Sequence, residues 1–253
     1  MKSLMLSRED LQTNPTPRLP IALVLDASHS MGEIIAGEFR ETGETYEADG
    51  QVWRVVEGGK TRLDFLNEGL ELFLETLHED DIARHSVELC VIGFGGEAKL
   101  LLDFGPLQLV DALQVTPSEV DGTDLGGAVE LALQRLERRR EAYRRHGVDH
   151  YKPWLVVMTD GKPTVAGYEQ VAQRVASLVR NRRLSVFPIG VGQGFDAEKL
   201  AMLSPGRAPL QLKGVCFREF FQWLSRSVSV VSRSQPGESV QLDVDSLSDW
   251  AQV

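Results

Sequence analysis

Short runs of consecutive apolar residues alternate along the chain with longer segments in which apolar residues return every three or four positions. The short runs predict strands that are buried on both faces, as in a parallel sheet. The longer segments predict amphipathic helices. The predicted strands are residues 20–26, 86–95, 99–107, 154–161 and 184–192, with an edge strand at 209–214. The predicted helices are residues 63–80, 169–183, 196–204 and 218–232, and one that begins near Asp124.

An unusual stretch at about 42–62 separates the first predicted strand from the first predicted helix. Asp49-Gly50 lies between two segments of β-prone residues, and Gly58-Gly59 closes the second segment. An Asp-Gly pair between such segments is a strong signal for a two-residue hairpin turn. We therefore expect a β-hairpin insertion after the first strand.

The alternation of strands and helices predicts an α/β fold class, with a doubly wound, mostly parallel sheet that carries helices on both faces. A chain of 253 residues with 42% apolar composition can bury a substantial core in one large domain. We expect that domain to span residues 19–232, between an N-terminal tail at 1–18 and an acidic C-terminal tail at 233–253. Trp250 in the second tail is expected to dock either back onto the domain or onto a partner.

The composition narrows the class of partner. A formal net charge of −10 disfavours binding to nucleic-acid backbones and to anionic membranes, both of which need a basic surface. Cys90 and Cys216 fit no disulfide scaffold or metal-binding spacing, so a reducing compartment is expected. The N-terminus lacks the apolar core of a signal peptide, and no stretch approaches the ~20 apolar residues of a membrane span. We therefore expect a cytoplasmic protein that binds neither nucleic acid nor membrane.

Three short polar segments carry the candidate chemistry. Asp26, Ser28 and Ser30 directly follow the first strand, Thr123 comes just before a helix, and Asp160 follows a central strand. In open parallel sheets, ligands bind outside the carboxyl ends of the strands, where the strand order reverses. We therefore expect the first and third segments to be neighbours, with the second segment overhanging them.

All of these side chains are hard oxygen donors. Carboxylates and hydroxyls suit Mg²⁺, with Mn²⁺ and Ca²⁺ as competitors. Mg²⁺ takes about six ligands, so these protein oxygens leave at least one position for an outside ligand. Two aspartates at most neutralise a divalent ion, which then still attracts one more anionic oxygen. The pattern predicts a divalent-cation site that accepts the carboxylate of an Asp or Glu from a protein partner.

The order and spacing of the three segments resemble the metal-ion-dependent adhesion site of von Willebrand factor A (VWA) domains. The matching motifs are Asp-x-Ser-x-Ser at 26–30, Gly-Thr-Asp-Leu-Gly at 122–126 and Thr-Asp-Gly at 159–161. The resemblance implies that the ion is held by Asp26, Ser28, Ser30, Thr123 and Asp160. It covers the fold pattern from about 19 to 232, and it departs from the family at His29, where glycine is common.

Three further segments, at 18–33, 158–164 and 221–238, resemble the bacterial tellurium-resistance TerY-like group of VWA proteins. This resemblance implies a stress-response setting in which the partner is a protein kinase or a PP2C-type phosphatase. On this hypothesis the protein is a non-enzymatic adaptor, or scaffold, that uses its bound cation to bring one protein to another.

Two alternatives stay open. In the first, Asp26 is the nucleophile of a Mg²⁺-dependent phosphohydrolase. Aspartyl-phosphate chemistry usually wants a second acid close by, whereas this chain has Ser28 two residues later. We therefore expect no catalytic residues and no organic cofactor. In the second alternative the domain serves an AAA-type ATPase or a metal chelatase on another chain, and the sequence does not discriminate between these partners.

Overall fold

Two sheets organise the chain in the computed structural model, which describes residues 14–48, 50–243 and 247–252. The strands are, in chain order, β1 (Leu19–Asp26), β2 (Ile34–Ala48), β3 (Gln51–Thr61), β4 (Val87–Phe94), β5 (Ala98–Leu102), β6 (Trp154–Thr159), β7 (Ser185–Val191), β8 (Leu210–Leu212) and β9 (Ala251–Gln252). Within the described residues, seven strands form one sheet in the order β5-β4-β1-β6-β7-β8-β9, and β2 pairs with β3 as a separate ribbon.

The main sheet is mostly parallel. β1 lies at its centre, with parallel partners β4 and β6 on either side, and β7 and β8 continue in parallel beyond β6. All eight residues of β1 are buried, as its continuous apolar run predicts. Because the strand order reverses at β1, the carboxyl ends of β1, β4 and β6 border a crevice at one edge of the sheet.

Helices cover both faces of this sheet. They are α1 (Arg62–Glu79), α2 (Ala83–Ser86), α3 (Leu125–His146), α4 (Tyr168–Arg180), α5 (Ala197–Ala201), α6 (Phe217–Ser232) and α7 (Leu247–Trp250). α1 packs with α6 on one face, where the Phe73 and Phe221 ring centroids lie 5.5 Å apart. The apolar stripes of α3 and α4 cover the other face. Truncating one such buried phenylalanine costs about 3–5 kcal/mol, so these two layers supply much of the stability.

These features confirm the predicted fold class. None of the described helices has the length and apolarity that crossing a membrane would require. One strand boundary was wrong: the run predicted as a strand at 99–107 leaves the sheet after Leu102 and forms a 3-10 turn at Leu107–Leu109. Pro106 precedes that turn and has no backbone N–H to donate to a strand ladder.

The hairpin insertion is present and is longer than predicted, because β2 begins at Ile34 and not near residue 42. Its ladder has three register irregularities, and Gly50 in the turn has a φ of 70°, a conformation that glycine adopts without strain. Asp49, the other predicted turn residue, lies outside the described residues, as does the chain before residue 14. Most of β2 is exposed, so much of the ribbon's surface faces solvent.

The C-terminal residues pack onto the domain. Trp250 is buried, and its ring centroid lies 5.9 Å from that of Phe220 and 6.0 Å from that of Trp223. The adjoining β9 pairs antiparallel with β8. The strand predicted at 209–214 is therefore not the edge of the sheet, because β9 occupies the edge. Two residues of strand leave no detectable apolar pattern, which is why the sequence did not predict β9.

Candidate metal centre

The first loop of the site begins where β1 ends. Asp26 is fully buried, and its Oδ1 accepts a hydrogen bond from the backbone N–H of Ser28 at 2.9 Å. The Ala27 N–H donates to the Phe94 carbonyl at 2.7 Å, which ties the start of the loop to β4. A 3-10 turn over His29–Gly32 follows, before the chain enters β2. The loop therefore holds the Asp26 carboxylate at the carboxyl edge of the sheet.

A chain of hydrogen bonds links the first loop to the third. The hydroxyls of Ser28 and Ser30 lie 3.1 Å apart, and the Ser30 hydroxyl donates to Asp160 Oδ1 at 2.6 Å. Asp160 directly follows β6, the parallel neighbour of β1. The strand order therefore brings together residues that are 130 positions apart in the sequence.

The second loop reaches the same place through Thr123. Its backbone is fixed to the third loop, because the Thr123 N–H donates to Thr164 Oγ1 at 2.8 Å and the Thr164 N–H donates to the Thr123 carbonyl at 3.1 Å. A methyl group on Gly161 would lie 3.6 Å from Thr123 Oγ1 and 4.0 Å from Asp26 Oδ2. The absence of a side chain at Gly161 thus leaves space between a hydroxyl and a carboxylate.

The structure accordingly places all the predicted site residues around one small volume. Four of them are joined by hydrogen bonds. The Thr123 hydroxyl borders the space that a side chain at Gly161 would fill. Ser30 is half-buried and the other four are buried. Their proximity is a structural result, whereas their role as ligands to a metal stays a prediction.

Ionising both carboxylates is unfavourable when no cation lies between them. Burial raises the pKa of Asp26, although hydrogen bonds from Ser28 and Thr159 oppose the rise. Burial and the negative charge of Asp26 raise the pKa of Asp160 to about 6, against the opposing effects of the Ser30 hydroxyl and the Arg62 guanidinium. Two buried acids so close together disfavour their doubly ionised state. A divalent cation between them would remove that penalty.

The donor set fits such a cation. It offers two carboxylates and three hydroxyls, all hard oxygens, around a space that a side chain at Gly161 would narrow. Across the residues that the structure describes, no three His, Cys, Asp or Glu side chains come together as a metal-binding group. The centre is therefore poor in carboxylates, and a cation held there would keep an affinity for an outside anion.

Sequence reasoning missed two side chains that complete the centre. The Thr159 hydroxyl donates to Asp26 Oδ2 at 2.5 Å and so fixes the second oxygen of that carboxylate. Arg62, the first residue of α1, donates from Nη1 to the Ser30 carbonyl at 2.9 Å, and the same nitrogen lies 3.8 Å from Asp160 Oδ2. Thr159 was visible as the first residue of Thr-Asp-Gly. Arg62 gave no signal, because the whole hairpin separates it from Ser30.

The hairpin leans on the first loop through His29. The His29 ring centroid lies 5.9 Å from that of Tyr46 and 6.4 Å from that of Trp53, which form a cross-strand pair near the far end of the ribbon. Trp53 is half-buried, and its indole N–H donates to the Ala48 carbonyl at 3.0 Å. Trp53 therefore packs the hairpin against the body beside the centre.

The family model of the von Willebrand factor type A domain matches residues 63–217. This range includes Thr123 and Asp160, whereas the first loop of the site precedes it. No curated protein sequence is significantly similar to this chain.

Several solved structures share the fold. The von Willebrand factor type A protein from Catenulispora acidiphila has a TM-score of 0.55 and 13% identity, covering 85% of this chain and 43% of that one. Proximal thread matrix protein 1 from the mussel byssus, with a zinc-occupied MIDAS motif, has a TM-score of 0.51 and 17% identity, covering 87% and 47%. BatB from Bacteroides thetaiotaomicron has a TM-score of 0.51 and 16% identity, covering 82% and 98%. This chain thus spans less than half the length of the first two. At these identities the likeness establishes the fold.

Proposed function

Because this chain belongs to the von Willebrand factor type A domain family, we propose that it is a binding module whose divalent cation coordinates a carboxylate from a protein partner. One observation carries the proposal. Three separate loops bring two carboxylates and three hydroxyls around one space, and the charge of these groups is at most −2. With a divalent cation bound, the centre has no net negative charge left to repel an approaching Asp or Glu.

The proposed ligands are the five predicted oxygens, and the bound cation would supply a positive position for one oxygen of the partner. The chain's own residues prepare that position. Thr159 and the Ser28 N–H fix the two oxygens of Asp26, and Ser30 fixes one oxygen of Asp160. This arrangement orients the carboxylates before any partner arrives, so little ordering entropy is lost on binding.

The hard-oxygen donor set favours Mg²⁺, with Mn²⁺ and Ca²⁺ as alternatives. The mussel byssus protein of similar fold has zinc in its MIDAS motif, which supports a divalent cation as the class of ion and leaves its identity to measurement.

We propose a non-enzymatic role. A phosphohydrolase would need the Asp26 carboxylate to reach the phosphorus atom of a substrate, and Asp26 is fully buried. Ser28 stands where a second acid would be expected in that chemistry. These observations favour binding over catalysis.

The narrower proposal is that the chain is a TerY-like protein of a bacterial stress or tellurium-resistance system, with a protein kinase or PP2C-type phosphatase as partner. It rests on the sequence segments at 18–33, 158–164 and 221–238. The acidic charge of the chain supports a protein partner over nucleic acid or an anionic membrane.

The proposal is tested in two steps. Mn²⁺ binding is first measured by calorimetry for wild type, Asp26→Ala and Asp26→Asn, with exposed Asp111→Ala as the matched control. Wild-type protein and Asp26→Asn are then used to capture proteins from native cell extract, each with Mg²⁺ and with EDTA. We expect Mn²⁺ binding only in wild type and the control, and a partner only with wild type and Mg²⁺. A partner retained in all four captures would contradict a metal-bridged contact.

A further inference from the structure

The positively charged guanidinium of Arg62 lies at the rim of the candidate centre. Its Nη1 donates to the Ser30 carbonyl at 2.9 Å and lies 3.8 Å from Asp160 Oδ2, yet a guanidinium cannot be a metal ligand. Its side chain is 23% exposed, so it is not sealed from solvent. A partner that reaches the cation would therefore also come within reach of Arg62.

The position of Arg62 in α1 does not serve the helix. A cation at the first residue of a helix meets the positive end of the helix dipole, which is mildly unfavourable. The helix is stabilised instead by the preceding capping box, in which Thr61 and Asp64 exchange side-chain and backbone hydrogen bonds. A reason for Arg62 must therefore be sought in the groups that its guanidinium contacts.

One of those groups is an exposed carboxylate of the chain itself. Glu33 accepts a hydrogen bond from Arg62 Nη1, and the side chain of Glu33 is 55% exposed. The Arg62 N–H also donates to the Glu33 carbonyl at 3.3 Å. An exposed ion pair of this kind is typically worth no more than about 1 kcal/mol, so the Glu33 side chain can be exchanged at low cost.

The guanidinium has capacity left for a second acceptor. Its hydrogen bonds to described residues run through Nη1, which leaves Nη2 and Nε for a further oxygen. A guanidinium prefers to bind a carboxylate through two parallel hydrogen bonds. Because Arg62 Nη1 lies 3.8 Å from Asp160 Oδ2, a carboxylate that enters the centre beside Asp160 would meet the guanidinium.

We propose that Arg62 is the second half of the carboxylate-binding site, and that Glu33 is the internal carboxylate that a ligand replaces. The inference rests on the proposed function and specifies its ligand. Arg62 makes the site selective for a charged carboxylate over a neutral amide, because only the carboxylate returns the charge that Glu33 gives up. Arg62 is thus a positioning and selectivity residue next to the metal ligands.

The test uses the Mn²⁺-loaded full chain, with acetate as the ligand and acetamide as its neutral counterpart. Displacement of water from Mn²⁺ is followed by water-proton relaxation, and Mn²⁺ affinity is measured separately by calorimetry. We expect Arg62→Gln to weaken acetate binding about tenfold, the size of one lost charged hydrogen bond, and Glu33→Gln to strengthen it about threefold. Arg62→Lys, which keeps the charge, should lose less than Arg62→Gln. Acetamide binding should not change.

Arg62→Gln and Glu33→Gln also separate this role from a structural one. Removing the positive charge of Arg62 should leave Mn²⁺ affinity unchanged or higher, whereas a collapsed loop would lower it. Arg40→Gln, in the exposed Arg40–Glu57 pair of the hairpin, is the surface control and should change neither affinity. If Arg62→Gln still binds Mn²⁺ and its acetate affinity is unchanged, the inference about Arg62 is wrong and the proposed function stands. Weaker acetate binding in Glu33→Gln would have the same meaning. A wild-type chain that binds no Mn²⁺ would overturn the proposed function and this inference together.

Discussion

Asp160 should make the metal-free protein less stable as the pH rises. Burial and the neighbouring charge of Asp26 raise the pKa of Asp160 from 3.8 to about 6 in the folded chain. Between these values the folded state binds more protons than the unfolded state, so the free energy of unfolding falls as the pH rises through this window. At about 1.4 kcal/mol per pH unit, the interval from 3.8 to about 6 corresponds to a loss of roughly 3 kcal/mol.

The perturbation that isolates this effect is Asp160→Asn, studied by urea unfolding in EDTA near pH 4 and near pH 7. Asparagine keeps an oxygen to accept the Ser30 hydroxyl but carries no charge. The difference between variant and wild type cancels the contribution of acids that do not interact with Asp160, such as Asp80, whose pKa is lowered to about 2. We expect equal stability near pH 4 and a variant more stable by up to about 3 kcal/mol near pH 7.

Saturating Mg²⁺ should reverse that order near pH 7. A ligand at one thousand times its Kd stabilises the folded state by about 4.1 kcal/mol, which exceeds the advantage of the variant in EDTA, and Asp160→Asn should gain little of this because it lacks one carboxylate. A stability difference in EDTA that does not change with pH would refute the reasoning. So would a variant less stable than wild type near pH 7, because the protein would then stabilise the Asp160 charge without a metal.

Three further predictions concern the surroundings of the centre. Gly161→Ala should lower Mn²⁺ affinity in calorimetry with an unchanged melting temperature, because its methyl group meets no close contact and yet narrows the space between ligands. Trp250→Ala should lower the free energy of unfolding in urea by about 3–5 kcal/mol, because Trp250 is buried. The control Asp249→Ala, at an exposed position, should have little effect. An equal effect of both variants would contradict docking of the C-terminus. His29→Ala should speed tryptic cleavage within residues 34–61 by roughly two- to tenfold through lost ring contacts, and an unchanged rate would show that these contacts do not hold the hairpin.

The sequence was informative wherever one local pattern determines the structure. The apolar run that ends at Asp26 predicted a strand buried on both faces and, with it, the edge at which its carboxylate lies. The strand β9 was not predictable, because two residues carry no periodicity and the pairing with β8 is decided by the burial of Trp250. Local patterns specify elements, whereas packing of distant side chains specifies the last strand of a sheet.

The same distinction applies to the centre. Asp26 and Asp160 were predictable because each stands at the end of a buried strand, and parallel pairing brings such ends together. Arg62 was not, since the sequence indicates a hairpin but does not indicate which residues meet at its base. Its contact with Ser30 spans 32 positions and depends on the exact length and bending of that insertion.

The hairpin and the first loop therefore form one structural unit. Glu33 directly precedes the hairpin and Arg62 directly follows it, so their ion pair closes the base of the ribbon at the rim of the centre. His29 holds the far end of the same ribbon against the same loop. A two-stranded ribbon is marginally stable alone, so its position depends on contacts with the body, these two and the Lys60–Glu68 ion pair among them. A carboxylate that takes Arg62 from Glu33, as proposed above, would remove one of these side-chain contacts, while the backbone hydrogen bond from the Arg62 N–H to the Glu33 carbonyl would keep the base of the hairpin closed.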